Sequence, residues 1–148
     1  MMLPAIRSIR AEEARVLRQR VLRPHQQVYE LVYPGDEAAD SLHLGAFEED
    51  ELVGIASVMR EPLPGSDEGS GWRIRGMATL PEARRHGHGG ALLERCLTHV
   101  AAHGGTIAWC TARATAIEFY RHHGFEVHGE SFDVPVIGTH YVMSRLVH

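Results

Sequence analysis

The chain has 148 residues, 44% of them hydrophobic, and a formal net charge of −4 at pH 7 with neutral histidines. This composition excludes a disordered chain, and it lacks the strong basic excess that is typical of a dedicated nucleic-acid-binding protein. The length predicts one domain over residues 1–148. No segment resembles a signal peptide or is long and apolar enough to span a bilayer, so we expect a cytoplasmic protein with no membrane partner.

The cysteine and histidine patterns predict neither a disulfide framework nor a metal site. We interpret the two cysteines, Cys96 and Cys110, as buried thiols of a protein in a reducing compartment. The 11 histidines are scattered, and they form no HExxH motif and no Cys/His pairs of the zinc-binding kind. A protein without a metal cofactor is therefore expected.

The N-terminal part predicts a strand, a helix and a hairpin. A short strand over residues 5–9 precedes Glu12–Leu22, whose apolar residues recur as in an amphipathic helix that stops before Pro24. A second short helix is predicted near residues 25–33. The segment 42–59 indicates two strands, because apolar and β-branched residues flank the acidic turn EEDE.

The C-terminal part alternates strands and helices. The stretch PLPGSDEGSG has the composition of a loop and is the best candidate for a mobile segment. A strand over Trp72–Thr79, a glycine-rich loop and a helix from about Gly90 to His103 follow. Then come the apolar strand TIAWC, the helix ATAIEFYRHHG with Gly124 as its cap, and the strands FEVHGE and HYVMSRLV.

The resulting order of elements, β-α-β-β-β-α-β-α-β-β, predicts an α+β fold. Strands that alternate with helices after Trp72 indicate right-handed crossovers and a parallel portion, whereas the paired strands before it indicate an antiparallel portion. We therefore expect a mixed central sheet of about six to seven strands, flanked by helices on both faces.

The stretch RRHGHGGALL, residues 84–93, joins a predicted strand to a predicted helix. Glycines allow close approach to the backbone, and free N–H groups at a helix N-terminus attract anions, so the loop predicts a phosphate site. It is not a Walker loop, because Gly89-Gly90-Ala91 replaces the required Gly-Lys-Ser/Thr. Nor is it a dinucleotide fingerprint, because Leu92 occupies the third glycine position.

Two segments carry a resemblance to a known family. Residues 84–90 resemble the Arg/Gln-x-x-Gly-x-Gly/Ala loop of the GNAT superfamily of acyl-CoA-dependent N-acyltransferases, and RGMATLPEARRHGHGGALL is similar to that family's fourth strand, loop and third helix. AIEFYRHHGF is similar to its Ala-x-x-Phe-Tyr-x-x-x-Gly-Phe segment, in the same order and spacing. LRQRVLRP and FDVPVIGTHYVM resemble a small bacterial branch, so the match covers most of the chain.

The resemblance implies a GNAT-like fold with an acetyl-CoA site. Backbone N–H groups of residues 86–91 would hold the pyrophosphate with help from Arg84 and Arg85, although a solvated loop is the alternative for both arginines. The fourth and fifth strands would splay apart around the pantetheine arm. The implied cofactor-binding residues are Met77, Ala78, Thr79, Arg84, Arg85, His86, Gly87, His88, Gly89, Gly90, Ala91 and Thr111.

Two of these positions depart from the family. Relatives commonly have asparagine where this chain has Thr111, which keeps a hydroxyl group but loses the amide. Position 88 is commonly apolar in the family. Two roles are therefore open for His88, a contact with the cofactor or a place on the rim of the site without a role.

The resemblance also implies a catalytic acid. Tyr120 matches the position whose hydroxyl protonates the departing thiolate. The alternative is a packed aromatic residue, since Phe119 and Tyr120 are adjacent and one of them should face the core. An N–H group near Met77 or Ala78 would stabilise the oxyanion.

No motif identifies the general base. The candidates are His140, His43 and Glu61, and a structural or solvated role is open for each of them. We prefer His140, because the closing strands form the acceptor side of the implied fold.

The implied function is transfer of an acetyl group from acetyl-CoA to a primary amine, by direct attack within a ternary complex. The alternative is a catalytically weak CoA-binding sensor or interaction module of the same fold. The expected partner is a small-molecule or peptide amine, without nucleic acid, and both a monomer and a homodimer are open.

The acceptor is expected to enter between residues 24–41 and the closing strands. The polar and aromatic residues of this part are Arg23, His25, Tyr29 and Tyr33. The alternative, of equal weight, is that these residues only cover the sheet.

Overall fold

A computed structural model of the chain describes residues 4–66 and 70–147, which form a seven-stranded sheet with three α-helices. The strands are β1 (Ala5–Ser8), β2 (Leu42–Glu48), β3 (Glu51–Arg60), β4 (Gly71–Thr79), β5 (Ile107–Arg113), β6 (Glu126–Val134) and β7 (Gly138–Leu146). The α-helices are α1 (Ala11–Leu17), α2 (His88–Ala102) and α3 (Ile117–His122).

The sheet is mixed, with the strand order β1-β2-β3-β4-β5-β7-β6. Among the described strands β4 and β5 form the one parallel pair, and the other neighbouring pairs are antiparallel. The predicted α+β class, with its mixed sheet of six to seven strands and flanking helices, is thereby confirmed. The order of the elements also follows the prediction.

Helices cover both faces of the sheet. Ser57 accepts a hydrogen bond from Arg18, which follows α1, whereas a side chain at Gly54 would meet Leu92 of α2. Ser57 and Gly54 lie three residues apart on β3, so they point to opposite faces. The face of α2 that is buried in the core carries Leu92, Leu93, Cys96, Leu97 and Val100.

The first predicted helix is shorter than its pattern indicates. α1 ends at Leu17, and the chain continues as a π-helical turn over Arg18–Leu22. This turn contains the fully buried Arg18, whose guanidinium group donates to the Asp36 carboxylate at 2.7 and 3.0 Å. The predicted second helix is a single 3-10 turn over Val28–Glu30.

The β2–β3 hairpin has the tight turn that the sequence predicts. Glu49 and Asp50 both adopt positive φ angles, 49° and 65°, as in a two-residue turn that matches the twist of the strands. Residues 67–69 of the predicted mobile loop lie outside the described residues. No helix in the described part of the chain is long and apolar enough to cross a membrane.

Candidate active site

A cavity opens where β4 and β5 separate. Their parallel pairing covers Gly71–Arg73 and Ile107–Trp109, and no paired residues follow along the two strands. The space between them has a volume of about 600 Å³. The two strands splay apart as the family resemblance implies, and each offers one edge to a ligand.

A β-bulge shapes the wall of this cavity. Ser57 of β3 faces Arg75 of β4 and Ile55 faces Ala78, so β4 carries one extra residue between these pairs. Gly76 lies in this bulge with a φ of 67°, and a Cβ atom there would lie 3.2 Å from the Tyr33 ring. Glycine is therefore required, both by the left-handed backbone and by the close approach of Tyr33.

The glycine-rich loop presents free N–H groups beside the cavity. Gly87 caps α2 in the left-handed conformation (φ 85°), and Arg85 is also left-handed (φ 67°). No described residue accepts a hydrogen bond from the N–H groups of residues 85–90, whereas the Ala91 N–H donates to the Gly87 carbonyl at 3.2 Å. The loop thus has the geometry of an anion site, and its free donors end at Gly90.

Most of the implied cofactor-binding residues line the cavity. His86 and Ala91 do not, and Arg84 also donates from its guanidinium group to the Thr79 carbonyl at 3.3 Å. The implied residues that line the cavity are Met77, Ala78, Thr79, Arg84, Arg85, Gly87, His88, Gly89, Gly90 and Thr111.

Tyr120 lies in the last turn of α3, where it is buried but lines the cavity. Burial raises the pKa of its phenol well above the usual value, and the neighbouring Cys110 acts in the same direction. The hydroxyl group is therefore protonated at neutral pH and can act as a donor. Phe119 also lines the cavity, and its ring meets the Tyr120 ring edge-on at 5.1 Å, so the two adjacent aromatics share this wall.

His140 faces the cavity from β7, where it pairs across the sheet with Arg113. Its Nδ1 atom lies 2.9 Å from the Gly138 carbonyl oxygen. Because a carbonyl oxygen can only accept, Nδ1 carries the proton, and Nε2 of a neutral ring keeps a free lone pair. This tautomer can take a proton from a group in the cavity.

The sequence relatives of the chain agree with this geometry. Residues 3–125 match the model of the acetyltransferase (GNAT) family. The chain belongs to the GNAT acetyltransferase family. It is 38% identical over 140 residues to the uncharacterised N-acetyltransferase YitI of Bacillus subtilis (strain 168), and the match covers 95% of this chain and 94% of that protein.

Solved structures share the fold of this GNAT enzyme. One is Escherichia coli ElaA, with a TM-score of 0.77, 21% identity and coverage of 97% of this chain and 99% of that chain. Another is an aminoglycoside 6'-N-acetyltransferase complexed with coenzyme A, with a TM-score of 0.75, 14% identity and 97% coverage of both chains.

The structure places two candidate bases of this GNAT enzyme outside the cavity. Both ring nitrogens of the buried His43 are engaged, Nδ1 by the Ser57 hydroxyl at 2.7 Å and Nε2 by the Asp36 carbonyl at 2.8 Å. Glu61 forms an ion pair with Arg73 at 3.3 Å. Neither lines the cavity, so His140 is the one of the three candidates that does.

Only some residues of the predicted acceptor segment line the cavity. Arg23 and Tyr33 line the cavity, whereas His25 and the largely exposed Tyr29 do not. Sequence reasoning missed that Arg75 and Arg113 join them there. The signal was present in β4, where arginines at 73 and 75 alternate with apolar residues and therefore share one face.

The cavity end beside Tyr33 is strongly basic. The Arg75 guanidinium lies 3.9 Å from the centre of the Tyr33 ring. Burial lowers the pKa of Arg75, and the charge of the nearby Arg73 lowers it further. Burial also lowers the pKa of Arg113, and the charge of Arg23 adds to this. Among residues 4–66 and 70–147, no carboxylate forms an ion pair with these three arginines (Arg23, Arg75 and Arg113).

A second feature missed in the sequence lies behind the glycine-rich loop. His86 Nδ1 and His88 Nε2 both lie next to one oxygen of Glu48, at 2.6 and 2.7 Å. These hydrogen bonds lower the pKa of the Glu48 carboxyl, and the hydrogen bond from His88 has the larger effect. His88 is therefore a buried anchor of the loop rather than a solvated rim residue.

We expect Tyr120→Phe to slow acetyl transfer by about a hundredfold or less, because the hydroxyl group that the family resemblance implies as the general acid is lost while the ring still packs. CoA affinity should stay unchanged. Steady-state rates with a fixed amine, and CoA binding by calorimetry, measure the two effects. Arg121→Gln, at an exposed position of the same helix, is the control. Full activity of Tyr120→Phe over a range of pH would reassign Tyr120 to packing.

Proposed function

We propose that this enzyme transfers an acetyl group from acetyl-CoA to the primary amine of a small acceptor that carries an anionic group, such as a carboxylate. The observation that supports this most is the set of three cavity arginines, Arg23, Arg75 and Arg113, without a carboxylate partner in the described chain. The enzyme class follows from the family. The nature of the acceptor, the roles of the residues and the direct mechanism are what we propose.

The glycine-rich end of the cavity suits the donor. Six N–H groups at a helix N-terminus, those of residues 85–90, have no hydrogen-bond acceptor among the described residues. Arg84 and Arg85 line the same end and supply positive charge for a pyrophosphate. The pantetheine arm would then lie along the free edge of β4, as an added strand does.

The arginine-rich end suits the acceptor. Arg75 and Thr79 are separated along β4 by about 13 Å, at roughly 3.3 Å per residue, so this end is distinct from the loop. Partly buried guanidinium groups that repel one another raise the free energy of the empty site. A bound carboxylate relieves this repulsion and can accept paired hydrogen bonds from a guanidinium. The charge of this end therefore favours an anionic acceptor.

The same charge disfavours polycationic acceptors. Aminoglycosides, the acceptors named for one solved relative, carry several amino groups that are protonated at neutral pH. They would meet Arg23, Arg75 and Arg113 with repulsion. We therefore infer a different acceptor for this chain despite the common fold.

The chemistry requires three proton and charge movements. His140 Nε2 accepts a proton from the amine, whose nitrogen attacks the thioester carbonyl carbon and forms the C–N bond. A β4 N–H group near Met77 or Ala78 stabilises the oxyanion of the tetrahedral intermediate. The C–S bond then breaks, and Tyr120 donates its proton to the departing thiolate. The attacking nitrogen loses its second proton to solvent as the amide forms, and solvent returns a proton to Tyr120. The products are the N-acetylated acceptor and CoA.

A panel of amines tests the proposed reaction. Each amine is incubated with acetyl-CoA and the enzyme, with release of CoA thiol and gain of one acetyl group by mass spectrometry as the readouts. We expect products with small amines that bear a carboxylate, phosphate or phosphonate. CoA binding without acetyl transfer to any member of the panel would contradict the proposal and favour a CoA-binding module.

We expect Arg75→Gln and Arg113→Gln each to raise the KM of an anionic acceptor by about tenfold to a hundredfold. The reason is that a hydrogen bond to a charged group contributes roughly 1.5–3 kcal/mol. The KM of acetyl-CoA should not change. Arg20→Gln, an exposed position, is the matched control. Equal KM values of the acceptor in the variants and the wild type would remove these arginines from the acceptor site.

A further inference from the structure

The cluster of Glu48, His86 and His88 presents three potential metal ligands from two separate segments. Their ligand atoms, one carboxylate oxygen and two imidazole nitrogens, all lie within 4.8 Å of one another. It is the one such group found in the described part of the chain. Both rings direct a nitrogen at the same Glu48 oxygen, so the three groups already converge on one point.

The backbone fixes these three positions. Glu48 ends β2, directly before the tight turn to β3, and His88 is the first residue of α2. His88 is 3% exposed, whereas the His86 ring is about half exposed, which leaves solvent access to the cluster. Little conformational entropy remains to be lost when an ion binds, because these side chains are already ordered by their hydrogen bonds.

We propose that Glu48, His86 and His88 form a binding site for a divalent transition-metal ion, best suited to Zn²⁺. Imidazole and carboxylate are ligands that Zn²⁺ takes readily, whereas Mg²⁺ and Ca²⁺ prefer oxygen ligands alone. Ligands of a tetrahedral Zn²⁺ ion stand about 3.3 Å apart, as Zn–N and Zn–O bonds of roughly 2.0–2.2 Å require. The present spacing of 2.6–2.7 Å from the carboxylate oxygen to each nitrogen needs only a small expansion.

The state of the His88 ring limits the affinity. In the hydrogen-bonded form its Nε2 carries the proton that bonds Glu48, and Nδ1 has no described partner. When Nε2 binds the ion, that proton must move to Nδ1, which is buried and finds no acceptor there. We therefore expect a micromolar, exchangeable site with an open fourth position, rather than a permanent structural zinc.

The site's position gives it a role in holding the cofactor loop. His86 and His88 belong to the segment of free N–H groups, and His88 lines the cavity. An ion bound to both histidines and to Glu48 would tie this loop to the β2–β3 hairpin in its present shape. Since binding couplings are reciprocal, Zn²⁺ should strengthen CoA binding, and CoA should strengthen Zn²⁺ binding by the same factor.

Titration of the full-length, tag-free protein with Co²⁺ tests the site. We expect one ion per chain, with the intense visible absorption of a tetrahedral Co²⁺ centre, and displacement of Co²⁺ by Zn²⁺. Glu48→Gln and His86→Ala should each weaken binding at least as much as the roughly tenfold to hundredfold seen for residues that only orient a ligand.

Matched controls and a second measurement make the outcome decisive. Glu49→Gln and His122→Ala, both at exposed positions outside the cluster, should bind Co²⁺ as the wild type does. Equal Co²⁺ affinity in wild type, Glu48→Gln and His86→Ala, or no binding by the wild type, would overturn the site. CoA affinity by calorimetry that is the same with and without Zn²⁺ would overturn its role at the loop.

Discussion

His140→Ala should lower kcat/KM for the acceptor by about 10²–10⁴-fold, the usual contribution of a positioned general base. The Nδ1–H bond to the Gly138 carbonyl leaves Nε2 as the proton acceptor, and alanine offers none. Without it, only acceptor molecules that have already lost a proton to water can attack. We therefore expect the rate of the variant to keep rising with pH until the acceptor amine itself is deprotonated, whereas the wild type reaches its plateau earlier.

Steady-state kinetics over a range of pH measure this effect. The KM of acetyl-CoA should stay unchanged, because the glycine-rich loop lies at the other end of the cavity. His122→Ala, which removes an exposed histidine of α3, is the control for general effects of losing an imidazole. Equal pH profiles for His140→Ala and the wild type would show that His140 is not the base.

Asp36→Ala should lower the free energy of unfolding by about 3–5 kcal/mol, because it leaves a buried guanidinium without its counterion. Arg18 is fully buried and donates to both Asp36 oxygens, to the Leu31 carbonyl at 2.9 Å and to the Ser57 hydroxyl at 2.9 Å. Urea unfolding followed by circular dichroism measures the loss. The double variant Arg18→Met/Asp36→Leu should lose less than Asp36→Ala, since an apolar pair removes both charges together.

The pH dependence of unfolding follows from the same pair. Burial by itself would raise the pKa of Asp36, but hydrogen bonds from Arg18 and from the Tyr33 N–H outweigh it and lower the pKa. A lowered pKa adds stability that is fully present above the unfolded value, about 3.9, and is lost as the pH falls through the folded value. We expect the wild type to lose this contribution below about pH 4, and Asp36→Ala to lack that part of the acid transition. An Asp36→Ala variant as stable as the wild type would contradict both expectations.

This buried pair also supports the arginine-rich end of the cavity. The Arg18 guanidinium lies 3.8 Å from the centre of the Tyr33 ring, and Arg75 covers the ring at 3.9 Å. Arg18 thus positions Tyr33 without touching the cavity itself. A conservative Arg18→Lys replacement should raise the KM of the acceptor more than that of acetyl-CoA, because the planar stack is lost.

The fold could be predicted from the sequence because its signals are local. The alternation of strands and helices after Trp72, the hairpin turn EEDE and the glycine-rich loop each lie within one continuous segment. The apolar face of α2 likewise follows from its helical period alone. The end of α1 at Leu17 could not be predicted in this way, because the buried Asp36 that binds Arg18 lies 18 residues further along the chain than Arg18.

The site was only partly predictable for the same reason. The glycine-rich loop and Tyr120 stand in recognisable motifs, and the structure places both at one cavity. Arg75 and Arg113 come from neighbouring strands whose separation gives them a common space, which no motif records. The contact of Glu48 with His88 joins residues 40 positions apart and depends on the pairing of β2 with β3 and the start of α2.

The ratio of kcat/KM for an amino acid over kcat/KM for its carboxamide tests the central claim most directly. The two acceptors differ in one negative charge, so the ratio, with each kcat/KM expressed per deprotonated amine, reports what the arginine-rich end of the cavity recognises. We predict a ratio of about ten or more for the wild type, since one charged hydrogen bond contributes roughly 1.5–3 kcal/mol, and a ratio near one for Arg75→Gln/Arg113→Gln. A wild-type enzyme that acetylates the carboxamide as well as or better than the amino acid would contradict the proposed acceptor.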